Sequence, residues 1–184
     1  MSKASADLFG ALQRTATFSG EDNCYRDELR RVWNAGMPLL VVCMLNPSHA
    51  SHEIDDQTVL ALMHFGREWG YGGLLIVNLY SWRSPSPKLM KANDARVGPN
   101  NGQALEDAMA YARDNGGKLL VAWGADGNFE GRADWFVSRA TRIYGLLLVC
   151  LGKTRGGDPK HPMARGKHRI PRDLRPVIWR RALP

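Results

Sequence analysis

The sequence is short of cysteine, of long apolar runs and, over most of its length, of net charge. Only three cysteines occur in 184 residues, Cys24, Cys43 and Cys150. Two of them sit inside apolar runs, where a thiol behaves as a small buried hydrophobe. No two have the close spacing of a zinc knuckle or an iron–sulfur ligand set. No disulfide framework is therefore encoded, and no cysteine-held metal is expected. The apolar run from Pro38 to Leu45 is eight residues long, against the roughly 20 that a membrane-crossing helix needs. Met1 to Ser5 lead into no apolar stretch of the kind that directs export, so a cytoplasmic location is expected. Charge is unevenly placed. Residues 1–151 carry 15 Lys or Arg against 16 Asp or Glu, a net of −1, so the chain's +7 arises wholly after Leu151, where ten bases meet two acids.

What remains is an ordinary balance, 44% apolar and 23% charged, which suits one soluble domain with one packed core. A single α/β domain over residues 1–184 is expected, with an N-terminal extension over 1–22 and a basic C-terminal segment over 152–184. Four short apolar runs, Leu39 to Leu45, Leu74 to Leu79, Leu119 to Trp123 and Leu146 to Leu151, are too short for helices and read as buried strands. Helical periodicity fills the intervals. Asp56 to Trp69 places Val59, Leu62, Met63 and Phe65 near one face before Gly70; Leu105 to Arg113 gives a second helix; Arg132 to Tyr144 gives a third, followed by Gly145. Strands alternating with helices of this length predict parallel pairing with right-handed crossovers. The predicted fold is a three-layer α/β/α sandwich on a four-stranded, mainly parallel sheet. Tyr25 to Trp33 reads either as an extra antiparallel strand beside the first parallel one or as a helix. Residues 83–87 and 97–102 read as loops, and after Gly152 the pattern dissolves into a surface segment draped near the last strand.

Open parallel sheets bind ligands at the carboxyl ends of their strands. Asn46-Pro47-Ser48-His49 follows the first run, Asn78 ends the second with Tyr80 and Trp82 beyond it, Trp123-Gly124 ends the third, and the fourth leads through Gly152 to His161-Pro162. An amide in or just after a buried strand costs stability unless a partner meets it, which marks Asn46 and Asn78 as site residues; a turn cap is the alternative for each. Tyr80, Trp82 and Trp123 are placed to stack on a planar ligand, with core packing the plainer assignment for Trp123 and an equal one for Tyr80. His49, His52, Asp55 and Asp56 are near enough in sequence to suggest a divalent metal. Asp55-Asp56 is more simply a helix N-terminus, so neither metal nor cofactor is expected, and Asp56 is assigned to the pocket wall. His64, in mid-helix, reads as structural. The bases from Lys153 to Arg175 form the footprint of a phosphate-rich partner; a solubilising tail, or one that pairs with acids elsewhere, is the alternative.

The run Val41-Val42-Cys43-Met44-Leu45-Asn46-Pro47-Ser48, then Leu74 to Leu79 with Asn78, then Leu120 to Gly124, then His161-Pro162, resembles in order the motifs of the uracil-DNA glycosylase superfamily. The chain also resembles, over roughly residues 25 to 165, a bacterial and phage family known as a domain of unknown function, which shares the Met-Leu-Asn-Pro-Ser segment, the paired aspartates and the late His-Pro. The first resemblance implies a uracil-DNA-glycosylase-like fold and roles for three residues. Asn46 matches the water-positioning residue, Asn78 the asparagine that reads the edge of an extruded pyrimidine, and His161 the histidine that stabilises the departing base. Met163-Ala164 stands where that superfamily has Ser-Pro, and Leu45 precedes Asn46 where a glycine two places before is more usual.

Those roles make chemical sense. Breaking an N-glycosidic bond builds positive charge on the sugar and negative charge on the base, so one group must place water and another must stabilise the base anion. Asn46 and His161 suit the two tasks. Tyr80 and Trp82 would receive a base extruded from a helix, Ser48 would hold a flanking phosphate, Met163 would wedge into the stack, and Lys153, Arg155, Arg165, Lys167 and Arg169 would grip the backbone. The expected protein is thus a monomeric DNA glycosylase that removes a non-standard or modified pyrimidine, such as a phage hypermodified base, leaves an abasic site and serves anti-phage defence. The alternatives are a hydrolase or transferase acting on free nucleosides or nucleotides, and a module that binds modified DNA without cutting it.

Overall fold

A computed structural model describes residues 12–48 and 54–182. Seven strands form one sheet in the order β1-β2-β4-β3-β5-β6-β7. They are β1 (Gln13–Ser19), β2 (Tyr25–Val32), β3 (Leu39–Met44), β4 (Gly73–Asn78), β5 (Lys118–Val121), β6 (Leu147–Cys150) and β7 (Val177–Arg180). The four apolar runs became β3 to β6, and these pair in parallel as β4-β3, β3-β5 and β5-β6. Every residue of β3 and β4 is buried, as expected of strands covered on both faces.

The α/β class holds, but the sheet is neither four-stranded nor mainly parallel, because three antiparallel pairings join the three parallel ones. The segment from Tyr25 is indeed a strand. It pairs with β4, not with the first parallel strand, since β3 already has β4 and β5 on its two edges. Within the expected N-terminal extension, residues 13–19 form β1, which hairpins onto β2. The C-terminal segment is likewise more than a surface drape. Ile170 is buried in the core, β7 closes the sheet's far edge, and between them the chain is tied to α1 (Gln57–Glu68) through His64 Nε2 to Arg172 O at 3.0 Å, Trp69 Nε1 to Leu174 O at 2.9 Å and Arg175 Nη1 to Glu68 O at 3.1 Å. His64 is structural, as its position suggested.

Two cores lie on either side of the sheet. On one face α1 buries Val59, Leu62, Met63 and Phe65 against Leu40, Val42, Leu74 and Ile76. Asp56 caps this helix, its Oδ1 accepting from Val59 N at 2.9 Å, and Gly70, at φ +81°, lets the chain turn back toward β4. On the other face α3 (Asn101–Asp114) and α4 (Arg132–Ser138), which runs on into a π-helical turn (Arg139–Ile143), cover Leu39, Val41, Val77, Leu119 and Leu148. A short α2 (Pro87–Ala92) starts at the last residue of the 83–87 stretch expected to be a loop, with Ser86 as its cap. Asn101 and Gly102, expected in a loop, open α3.

Candidate active cleft

Four loops converge at the carboxyl ends of the parallel strands. After β3, the pairing with β4 continues beyond the strands, with Leu79 N donating to Met44 O and Tyr80 N to Leu45 O, and Ser84 N then donates to Pro47 O. The Asn46 loop is therefore held against residues 79–84. After β5, Gly124 adopts φ +76° and its N–H donates to Pro159 O at 2.9 Å; only glycine takes that turn cheaply. After β6, Gly152 turns at φ +104° into a tight hairpin closed by the Lys153–Pro159 bridge and by Lys160 N to Gly152 O at 2.9 Å. That hairpin returns the chain to the strand ends and delivers His161.

The result is a cleft of about 340 Å³ walled by Asn46, Ser48 and Thr58, by residues 84–87, by residues 123–126 and by His161. Its size lies at the small end of ligand pockets. Asn46, Ser48 and His161 thus meet in one space, as the strand-end rule predicted. The Asn46 amide nitrogen is held by two backbone carbonyls, Pro47 O at 3.1 Å and Ser84 O at 3.0 Å. This fixes the amide's orientation and leaves Oδ1, which accepts from no described residue, for the cleft. His161 Nδ1 accepts from Met163 N at 3.1 Å, so a neutral ring carries its proton on Nε2 and offers it as a donor. Burial pushes the His161 imidazole below its ordinary value, with the Asp56 carboxylate opposing. The neutral form is therefore favoured.

None of the four residues expected to bind the base, Asn78, Tyr80, Trp82 and Asp56, lines the cleft. Asn78 is buried and walled off: its Oδ1 accepts from Arg26 Nη2 at 3.3 Å and its carbonyl from Asn101 Nδ2 at 2.9 Å. Arg132 extends this network, donating to Asn101 Oδ1 and Leu79 O. Burial lowers the Arg26 guanidinium to about 10, with Asp56 pulling upward and Arg83 and Arg31 adding to the fall. Tyr80 is 1% exposed, donates to Phe129 O at 2.5 Å and has its phenol pushed up to about 12 by burial. It offers no open face for stacking. Trp82 packs half-buried against the α3/α4 core and bridges to Tyr25, away from the cleft wall. A strand's alternation reveals its end but not the neighbours that will enclose the next few side chains.

Asp56 faces both Arg26 and His161 electrostatically while serving as the α1 cap. Asp55 is tied to Arg31, whose Nε donates to it at 2.6 Å. Both carboxylates of the considered metal quartet are thus engaged, and its histidines, His49 and His52, lie outside the described residues. The residues that sequence reasoning missed are Thr58, Ser84, Ser86 and Asp126. Ser86-Pro87 carried the signal of a helix start, and Asp126 could have been found by following the chain two residues past Gly124. Asp126 accepts from Lys91 Nζ at 2.5 Å, joining α2 to the loop after β5.

Behind the cleft, Trp123 is buried edge-on to Phe136 and to Trp179 of β7, with centroids 5.8 and 5.4 Å away. Trp179 also donates through Nε1 to Gly157 O at 2.8 Å, in the hairpin that carries His161. The basic residues lie beyond His161. Arg155 and Arg165 line a second cavity, Met163, Arg165 and Arg169 a third, and Lys153 and Lys167 are exposed beside them.

Residues 26–163 match the model of a family described as a protein of unknown function, DUF1643. The chain belongs to this family. The DUF1643 match starts in β2 and ends at Met163, so it takes in every wall of the cleft while leaving out β1, β7 and most of the basic stretch. No curated protein matches the chain, and no solved structure does. Among the described residues no helix is long and apolar enough to cross a membrane.

Proposed function

We propose that this chain is a DNA glycosylase that hydrolyses the bond between deoxyribose and a modified pyrimidine. The observation that carries the reading is the meeting of Asn46 and His161, far apart in sequence, on the walls of one cleft. In this reading Asn46 Oδ1 accepts from a water and aims its oxygen at the anomeric carbon. The glycosidic electron pair leaves with the base, which departs as an anion stabilised by a hydrogen bond from His161 Nε2–H. Hydroxide equivalent from the water adds to the sugar, and the water's proton ends on the base. An asparagine suffices as the water-holder because the transition state is already cationic at the sugar and asks little of its nucleophile. A neutral imidazole suits a developing anion, since it donates without first having to be charged in a partly buried place.

The resemblance to the uracil-DNA glycosylase superfamily supports the same assignment of Asn46 and His161. Asn78, enclosed by Arg26 and Asn101, acts in this reading as a positioning residue beneath the cleft floor and not as the base reader. Ser48, Ser84 and Thr58 are the polar groups left to meet the base and sugar. The resemblance to a bacterial and phage family supports a role in restricting invading modified DNA. The test is base excision on canonical, uracil-containing, hydroxymethylated and glucosylated DNA, read as alkali-labile strand breaks. Cleavage of one substrate, lost in Asn46→Ala and in His161→Ala, is expected. Absence of breaks in all four defeats the reading, and activity on free nucleotides alone would favour a nucleotide hydrolase.

A further inference from the structure

The cleft is the first of three adjoining cavities. A second, of about 300 Å³, shares Gly124 and His161 with it and is lined by Arg155, Lys160, Arg165 and His168. A third, of about 350 Å³, shares Ala164 and Arg165 with the second and sets Arg169 and Arg172 over the apolar floor of Ala61, Phe65 and Ile170. Shared wall residues set the three side by side, from the strand ends across the His161 loop onto the α1 face. Neither outer cavity has an acidic side chain in its wall. Of the two acids in the segment, Asp158 lies in its own hairpin beside the Thr154 hydroxyl at 3.1 Å, and Asp173 is exposed outside both cavities. Among the described residues, Arg155, Lys160, Arg165 and Arg169 make no ion pair and donate no side-chain hydrogen bond.

Unpaired guanidinium groups set in adjoining concavities, one of them floored by Ala61, Phe65 and Ile170, suit a ligand that alternates phosphates with flat apolar groups. A continuous duplex cannot lower successive nucleotides into three hollows, whereas a single strand can. Resting on the reading that the cleft receives a nucleotide, we infer that the protein takes a single DNA strand, with the target nucleotide in the cleft and the next two nucleotides, on one side only, in the two arginine-lined cavities. Arg165 is the shared post of that track, and Lys160, His168 and Arg172 join the residues that grip the backbone. An intact duplex is a substrate only where it opens.

The experiment is fluorescence anisotropy with labelled oligothymidylates of one to eight nucleotides and with a blunt duplex of the longest, at several salt concentrations. Affinity should climb over the first three nucleotides and then level, and the single strand should bind at least tenfold more tightly than the duplex. Arg165→Ala should flatten the dependence of log K on log salt by about 0.7 for each phosphate that the side chain neutralises, and Arg165→Lys should restore most of it. Arg142→Ala, which removes one exposed charge on the α4 side, should leave it unchanged. Equal binding of duplex and single strand, or equal effects of Arg165→Ala and Arg142→Ala, would overturn the track. If these binding results hold while no base is excised, the glycosylase reading fails and the track stands. If bases are excised from intact duplex and Arg165→Ala has no effect, the track fails and the glycosylase stands. Melting curves of each variant confirm that exposed Arg165 can be replaced without unfolding.

Discussion

The cations of the sheet and helices differ in their partners from those of the segment after Gly152. In the first group Arg31 is wholly buried and held by Asp55, Arg96 meets Glu130 and Asp94, Arg113 meets Asp114, Arg139 meets Glu106 and Lys91 meets Asp126. In the second, the described bases between Lys153 and Arg169 have no acid near enough to pair. Seven of the fourteen described acids of the earlier segment pair with its own cations. A basic tail that neutralised acids elsewhere would look different. Charge in the first group fastens the fold, and charge in the second is left without an ion pair among the described residues.

The largest test of that division is at Arg31. Without Arg31 the buried Asp55 carboxylate keeps only the exposed Arg14, at 3.4 Å, as a partner among the described residues, so Arg31→Ala should cost up to about 3–5 kcal/mol in urea unfolding. Arg169→Ala should leave the unfolding midpoint where it is and weaken DNA binding in low salt. If both variants unfolded alike, the division would not hold.

Next comes His161. His161→Ala should lower excision about 10² to 10³-fold, the usual loss of a donor to a developing anion. Because its pKa is depressed in the folded chain, kcat/KM in wild type should stay flat as pH falls through the ordinary imidazole range and decline only below it. Stability follows the same sign. Above the ordinary value neither state binds the proton and the contribution is nil; as pH falls through it, the unfolded chain takes up the proton first and stability is lost, until the folded ring titrates too and the loss levels off. His161→Gln should remove that acid-side loss. An acid limb lying at or above the ordinary imidazole value would contradict a neutral donor.

The smallest effect belongs to Arg113. Its pair with Asp114 is solvent-exposed, and exposed pairs contribute little. Arg113→Ala should change neither the urea midpoint nor the salt slope of DNA binding. A measurable change in the salt slope would mean that the nucleic-acid surface reaches the α3 face.

The central strands were legible because continuous burial leaves a continuous apolar run, and α1 and α4 each showed an apolar face and a glycine stop; α2, only six residues long, left no periodicity to read. β1 was not, since Gln13–Ser19 is polar and largely exposed at an edge, where only one neighbour disciplines the pattern. β7 is four residues long, with one buried side chain, Trp179, too little for periodicity to register. The partner of β2 depended on which edges the parallel strands left open, a property of the assembled sheet. In the cleft, Asn46, Ser48 and His161 were legible because topology alone gathers strand-end loops. The enclosure of Asn78 by Arg26 and Asn101, and of Tyr80 by Phe129, depends on side chains from β2, α3 and the 129–131 turn that no local window contains.

The position of Trp179 has a practical side. No residue of β7 touches the cleft, yet this indole braces Trp123 in its wall and grips the hairpin that presents His161. Trimming the last few residues, or fusing a bulky tag that pries them loose, would unseat the histidine from behind and could pass for a lesion in the chemistry.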